Sequence, residues 1–387
     1  MTKKNTNPEV RFAGFTDDWK NRKIGEILTE KKNSIEILDN EIYELVKVRR
    51  RNEGVVSRGF LKGKDILVKN YFEVKEGDYI ISKRQVVHGA NGIIPKSLNK
   101  AVVSNEYLVL VGNEKIGTAF WTIISKLPDM YRKFFLSSYG VDIEKLVFDV
   151  EDWKKRTVII PELTEQKKII ELFNVLENLI IRNQKKYDKL LTLKKAMLDK
   201  MFPKNCANIP EIRFKGFTDT WIERKFLEIF NYERPDNYIV KSVEYSVGYK
   251  TPVLTANKAF ILGYTDETNT FNKASIIFDD FTLDFKYVNF PYMVKSSAIK
   301  ILTIKDENID DLDFTFNLLA TTKIENMGHA RHYISVVQHS SILVPKIEEQ
   351  KKIANYFANL SRLININKIE LEKLKNIKKA CFKKILA

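Results

Sequence analysis

A chain of 387 residues with 44% hydrophobic and 30% charged residues has room for two ordinary domains with their own cores, which excludes wholesale disorder. Two cysteines, Cys206 and Cys381, and no CxxC pair argue against a disulfide framework or cysteine-based zinc site and suit a reducing compartment. The formal charge of +15 favours an anionic polymer as partner.

In chain order, the polar N-terminus MTKKNTNPEV lacks a signal-peptide core, and no run of about 18 apolar residues follows, so the expectation is a cytoplasmic protein outside the membrane. PEVRFAGFTDDW then occupies Pro8–Trp19. Short β-branched and aromatic runs at Ile42–Val48, Asp65–Val74, Asp78–Ser82 and Tyr107–Val111 predict strands. Helical character is expected over Trp121–Leu136. PELTEQKKIIELF begins at Pro161. From Ile169 the seam Ile169, Phe173, Leu176, Ile180, Asn183, Tyr187, Leu190, Lys194, Met197, Met201 keeps a 4-3 spacing, a coiled-coil pattern closed by Pro203.

The opening then returns as PEIRFKGFTDTW at Pro210–Trp221, identical at nine of twelve positions. Strands are expected at Tyr245–Tyr249, Ala274–Phe278 and Ala298–Ile304, and a helix at Phe314–Asn326. PKIEEQKKIANYF follows at Pro345, with a second seam of Ile353, Phe357, Leu360, Ile364, Asn367, Leu371, Leu374, Lys378, Cys381 and Ile385. The first echo is offset by 202 residues and the second by 184, so the second interior is 18 residues shorter (202 − 184). A duplicated domain plus connector accounts for this. Each helix should begin at its proline, with Glu165 or Glu349 in the first turn favourable to the dipole, and run about 35–40 residues. Antiparallel pairing, Ile169 facing Ile385, would bring Asn183 and Asn367 within about one turn as register-setting polar residues; the alternative is an exposed Asn on a loosely packed face.

Each interior reads as an α+β domain with a curved, mostly antiparallel sheet. Between Glu41 and Lys100 there are 13 Lys/Arg against 7 Asp/Glu, whereas between Asn231 and Lys300 the count is 8 against 8. Candidate DNA-binding residues in the first interior are Lys47, Arg49, Arg50, Arg51, Arg58, Ser82, Lys83, Arg84, His88 and Asn91, where a strand gives way to a Gly/Asn-rich loop. In the second they are Asn257, Lys258, Tyr264, Lys295, Ser296, His329, Arg331 and His332.

Catalytic signatures are weak. His329, His332 and His339 have no acidic partner at a metal-ligand spacing, which favours phosphate or structural roles. Asp65, Glu73 and Lys75 resemble the D…ExK arrangement of metal-dependent nucleases, a triplet common by chance here. Gly59–Asp65 fails the phosphate-loop spacing.

Two dissimilar α+β interiors, each followed by a long helix opening P-x-[L/I]-x-E-Q-K-K-I (Pro161–Ile169, Pro345–Ile353), resemble the specificity subunit of Type I restriction–modification systems. The resemblance implies two target-recognition domains, 1–160 and 204–344, separated by two spacer helices, 161–203 and 345–387, pairing as an antiparallel coiled coil with a pseudo-two-fold internal repeat. It further implies a non-catalytic subunit that reads a bipartite, asymmetric double-stranded DNA target and docks two methyltransferase subunits and, through them, restriction subunits. S-adenosylmethionine, ATP and Mg²⁺ would belong to those partners, with no cofactor or metal in this chain. The alternatives are a stand-alone metal-dependent DNA nuclease and a coiled-coil scaffold without a DNA role. The repeated opening is expected to frame each domain, Phe12, Phe15 and Trp19, and Phe214, Phe217 and Trp221, packing against a helix end.

Overall fold

A computed structural model describes residues 7–204, 207–246, 248–256, 259–322 and 332–386. The chain divides into two compact units, Met1–Arg182 with Leu371–Ala387, and Asn183–Glu370.

The centre of the first unit is an antiparallel sheet with strands Leu28–Glu30, Tyr107–Gly112, Tyr79–Ser82 and Asn91–Ile93 in that spatial order. Side chains alternate across a strand, so one apolar run can serve two cores. Tyr79, Ile81, Leu108 and Leu110 pack with Phe120, Trp121, Phe134 and Trp153. Ile80 and Val109 instead join Val46, Val48, Val74 and Val103. That second core is walled by a five-stranded sheet in the order Ser34–Ile35, Tyr71–Glu73, Val102–Ser104, Ile42–Val48, Val55–Lys62. On the helical side Trp153 stacks on Phe134 with ring centres 5.5 Å apart and meets Trp121 edge-on at 5.8 Å.

In the second unit the central sheet runs Phe230–Glu233, Ile299–Ile304, Ser275–Asp279, Phe285–Val288, also antiparallel. Ile276, Phe278 and Leu302 face Phe226, Phe314 and Leu318. Ile277, Ile299 and Ile301 face Leu254, Phe271, Tyr292 and Val294. The outer sheet here has three strands, Ile261–Thr265, Thr251–Leu254 and Met293–Val294. Interiors without evident sequence likeness therefore share one strand order and one layering. They differ in the outer sheet, where five strands are reduced to three.

In both units the segment after the repeated opening pairs with the strand before the long helix, Lys20–Lys23 with Thr157–Ile160 and Ile222–Lys225 with Ser341–Val344. Two expected strands need correction. Asp65–Val74 yields only the strand Tyr71–Glu73, preceded by a 3-10 turn at Gly63–Asp65, with Leu67 and Val68 exposed. Tyr245–Tyr249 contributes no strand among the described residues. The helix expected over Trp121–Leu136 is two, Thr118–Ile124 and Pro128–Leu136, because Pro128 cannot donate to a preceding turn and starts a new one. The helix expected at Phe314–Asn326 spans Leu312–Thr321, and the stretch from Lys323 onward lies outside the described residues.

The long helices are Leu163–Lys200 and Ile347–Leu386. Every position of the two predicted seams is buried or half-buried, while most positions between them are exposed. In the first unit the Phe173 ring lies 5.4 Å from that of Phe382, and Glu177 pairs with Lys378. Four residues forward on one helix is thus four back on the other, an antiparallel register. In the second unit Lys194 Nζ donates to Ser361 Oγ at 2.8 Å, and Met197 and Leu198 pack with Ile353 and Phe357, again late residues of the first helix against early ones of the second.

Candidate DNA interface

The repeated opening is a bracket built from buried charge. Arg11 Nε and Nη2 donate to both carboxylate oxygens of Glu165 at 2.9 and 2.7 Å, and Nη1 donates to the Asp17 carbonyl at 2.8 Å. Arg213 repeats this with Glu349, both bonds at 2.7 Å, and with the Asp219 carbonyl at 2.6 Å. Those bonds hold each guanidinium in its charged form more firmly than usual. Beside Glu165, Gln166 donates to the carbonyls of Pro161 and Lys115 and accepts from Gly117 N–H. Gln350 likewise donates to Pro345 and Ile309 and accepts from Asp311 N–H. Dipole compensation, the role expected for Glu165 and Glu349, is therefore secondary to tying the opening strap to the helix. Trp19 and Trp221 are buried in the two helical cores, with Phe12 and Phe214 packed against them. Lys352 Nζ sits 4.9 Å above the Phe217 ring.

The basic cluster lies at the tip of the hairpin formed by Ile42–Val48 and Val55–Lys62. Lys47, Arg49, Arg50 and Arg51 are exposed there, and Arg58 is exposed on the returning strand. Glu53 N–H closes the turn onto the Arg50 carbonyl, and Arg51 and Asn52 both adopt left-handed conformations with φ of 58° and 56°. For a residue like Arg that conformation costs about 1–2 kcal/mol. Tertiary bonds hold it: Arg51 N–H donates to the His88 carbonyl at 2.7 Å and Asn52 N–H to the Gly89 carbonyl at 2.9 Å. Gly89 itself has φ of 72° and lies so close to Asn52 that an added Cβ would stand 3.2 Å from the Asn52 backbone nitrogen. Residues 47–52 and 85–89, separate in sequence, thus form one head.

Two glutamates meet arginines around this surface. Arg50 donates to both oxygens of Glu144, at 2.6 Å from Nη2 and 3.4 Å from Nη1, and His88 Nε2 lies 3.4 Å from Glu144 Oε1. Arg84 Nε donates to Glu106 Oε2 at 2.5 Å, a bond that lowers the Glu106 pKa. Lys83 Nζ donates to the Asn105 carbonyl, and Ser82 is half-buried. Asn91 requires correction as a DNA contact. It is 1% exposed, and its Oδ1 accepts from Tyr79 Oη at 2.8 Å and from Ser125 Oγ at 3.4 Å, so it is a core residue between sheet and helix. Sequence reasoning missed Asn52, Glu106 and Glu144, which enter only through contacts distant in sequence.

In the second unit Tyr264 is half-buried on the outer sheet, and Lys295 Nζ donates to Tyr245 Oη at 2.8 Å. Ser296 is exposed and lines a cavity of about 520 Å³ with Arg234, Ser297 and Lys300. The buried Lys300 pairs with Asp280 at 3.1 Å and donates to the Ser297 carbonyl. Asn257, Lys258, His329 and Arg331 lie outside the described residues, and His332 opens a helical turn, His332–Ser335, with its side chain also outside them. Of the nuclease-like triplet, Asp65 ends a 3-10 turn and Glu73 sits on an outer strand, 3.4 Å from Asn33 Nδ2. Among the described residues no three His, Cys, Asp or Glu side chains form a group that could hold a metal ion. No helix among them is long and apolar enough to cross a membrane.

Two units on one central-sheet plan, closed by matching Arg–Glu brackets around different outer sheets, define a duplicated module. The chain belongs to the family described as the Type I restriction modification DNA specificity domain, whose model matches residues 16–192 and 218–376. Over 144 residues it is 39% identical to the Type I restriction enzyme EcoR124I/EcoR124II specificity subunit of Escherichia coli, an alignment covering 36% of each protein. The chain thus matches about a third of the length of that curated relative. Its fold is similar to the S subunit of a Type I restriction–modification system from M. genitalium, with a TM-score of 0.58, 16% identity, and 98% and 99% of the two chains covered. It is also similar to a chain from a structure addressing complex assembly and conformational transition of the type I R-M system, with a TM-score of 0.51, 14% identity, and 95% and 97% covered.

Proposed function

We propose that this chain is the sequence-specific DNA-recognition subunit of a Type I restriction–modification enzyme, working in the cytoplasm without chemistry of its own. Each unit reads one half of a bipartite, asymmetric target, and two methyltransferase subunits dock on the repeated frame, bringing restriction subunits with them. S-adenosylmethionine, ATP and Mg²⁺ are held by those partners. One observation carries this reading: matching Arg–Glu and Gln brackets enclose interiors that share the order of the central sheet and differ in the outer sheet. Identical frames suit two copies of one partner, and unlike interiors suit two unlike half-sites. Lys and Arg contacts to phosphate set position, and loop residues read base edges in the major groove.

The test is methylome sequencing of a host carrying the chain together with its methyltransferase. The expected result is a modified adenine in each half of a split sequence with a constant spacer. A continuous target, or no modification above the host background, would overturn the reading.

A further inference from the structure

We propose that Arg50 is a base-reading residue of the first recognition unit, and that Glu144 is its positioning residue, holding the guanidinium fork in readout geometry until DNA replaces the carboxylate. The proposal rests on the functional reading above and adds to it which residues read and how they are kept ready.

Arg50 offers two N–H groups to two acceptors on Glu144, the same fork that the O6 and N7 atoms of guanine accept in the major groove. Both partners are about half exposed, at 49% and 50%, so the pair contributes little to folding and exchanges readily for another planar acceptor edge. Its two ends are nonetheless fixed. Arg50 begins the left-handed turn that Arg51 and Asn52 pin to the backbone of His88 and Gly89. Glu144 sits in the turn Ile143–Lys145, capped by Asp142, whose carboxylate accepts from Glu144 N–H.

The second observation is a set of buried polar atoms in the same head. Asn52 Oδ1, Gln85 Oε1 and His88 Nε2 are shielded from solvent and have no hydrogen-bond partner among the described residues. A group left this way opposes folding, and three of them fall in the one head that carries the Arg50–Glu144 pair. His88 Nε2 is the one beside Glu144, at 3.4 Å. Displacing the carboxylate frees Arg50 and uncovers this ring nitrogen together. DNA binding then exchanges one acceptor for another and offers His88 Nε2 a partner in place of its 3.4 Å approach to Glu144.

The experiment uses the full chain co-expressed with its methyltransferase, as the parent and as Arg50→Ala, Arg50→Lys and Glu144→Gln. Targets are read by methylome sequencing, and affinity is read at one salt concentration on cognate duplex and on duplex with either half scrambled. Arg50→Ala and Arg50→Lys should each relax one base pair of one half-site, with about a 10- to 100-fold loss of discrimination there, and leave the other half and the spacer unchanged. Lysine keeps the charge and loses the fork, so it separates base reading from phosphate contact. Glu144→Gln should tighten binding to scrambled duplex and narrow the gap between cognate and scrambled. Thermal melting of all three should match the parent, given the exposure of the pair. Weaker binding by the Arg50 variants with both half-sites as strict as the parent's would make Arg50 a phosphate contact and overturn the proposal, as would Glu144→Gln binding scrambled duplex no more tightly. A parent complex with no split target sinks the functional reading, whereas a split target unaltered in every variant sinks this inference alone.

Discussion

Arg11 and Arg213 are surface-type residues put to interior use. Their side chains are 14% exposed and their partners Glu165 and Glu349 almost wholly buried, a geometry in which removing one partner strands the other charge. Arg11→Ala should therefore destabilise the first unit by about 3–5 kcal/mol, and Arg11→Ala with Glu165→Leu should recover much of it. Urea titration with a probe in each unit checks this; a loss below about 1 kcal/mol for the single variant would mean that the strap is held by its aromatic packing alone. The copies also differ in one bond. Trp19 Nε1 donates to Glu165 at 3.1 Å, while Trp221 Nε1 has no partner among the described residues. Repetition made the importance of these residues legible in the sequence, but not their roles. Nothing local tells that an arginine at position 11 meets a glutamate 154 residues later. Asn91 shows the converse: a polar residue in a Gly-rich loop reads as a contact until the fold turns it inward.

The long helices were the most legible elements, because a 4-3 seam is a local signal that needs no knowledge of the partner. What the seam conceals is the quality of each layer. Asn367 is 1% exposed, donates to the Leu363 carbonyl of its own helix at 3.0 Å, and leaves Oδ1 without a partner among the described residues. Asn367→Leu should stabilise the second unit by about 1–2 kcal/mol, since it removes the cost of that atom and fills the layer with an apolar side chain. A register role adds a second outcome: the Leu variant should lose uniqueness of pairing, seen as heterogeneous target spacing in the methylome. Stabilisation with an unaltered spacer would leave Asn367 a plain defect. Lys194, another polar seam position, has its pKa lowered by burial. The folded chain therefore binds its proton less readily than the unfolded chain, the penalty is complete at neutral pH, and it fades as pH climbs towards the ordinary lysine value of 10.5. Lys194→Met should raise the urea midpoint at pH 7, and the gap from the parent should shrink by pH 10. Strands were legible where both faces are buried, as at Ile299–Ile304, and illegible at Asp65–Val74, where apolar residues lie on the surface.

For the molecule as a whole, the same strand order recurs in both interiors without a shared motif, since layering needs only apolar alternation at the right places. Sequence comparison of the interiors could not reveal it, because many different residues satisfy that pattern. Divergence is concentrated where the core does not constrain it, in the outer sheets and loops. Charge has diverged too, with a surplus of six basic residues between Glu41 and Lys100 and none between Asn231 and Lys300. Non-specific affinity should then depend more on the first unit. Replacing Lys47 and Arg49 by Gln should lower the slope of log affinity against log salt by about 2, with the target sequence unchanged. Recognition, by contrast, should be portable. Residues 230–344 begin at the central sheet's edge strand and end with the strand paired to the repeated frame, so exchanging them for the matching segment of another family member preserves the bracket at both ends. The chimera should methylate a target with one half rewritten, the other half and the spacer retained. If both halves change, reading is shared between the units; if neither does, the second unit is a frame without a reader.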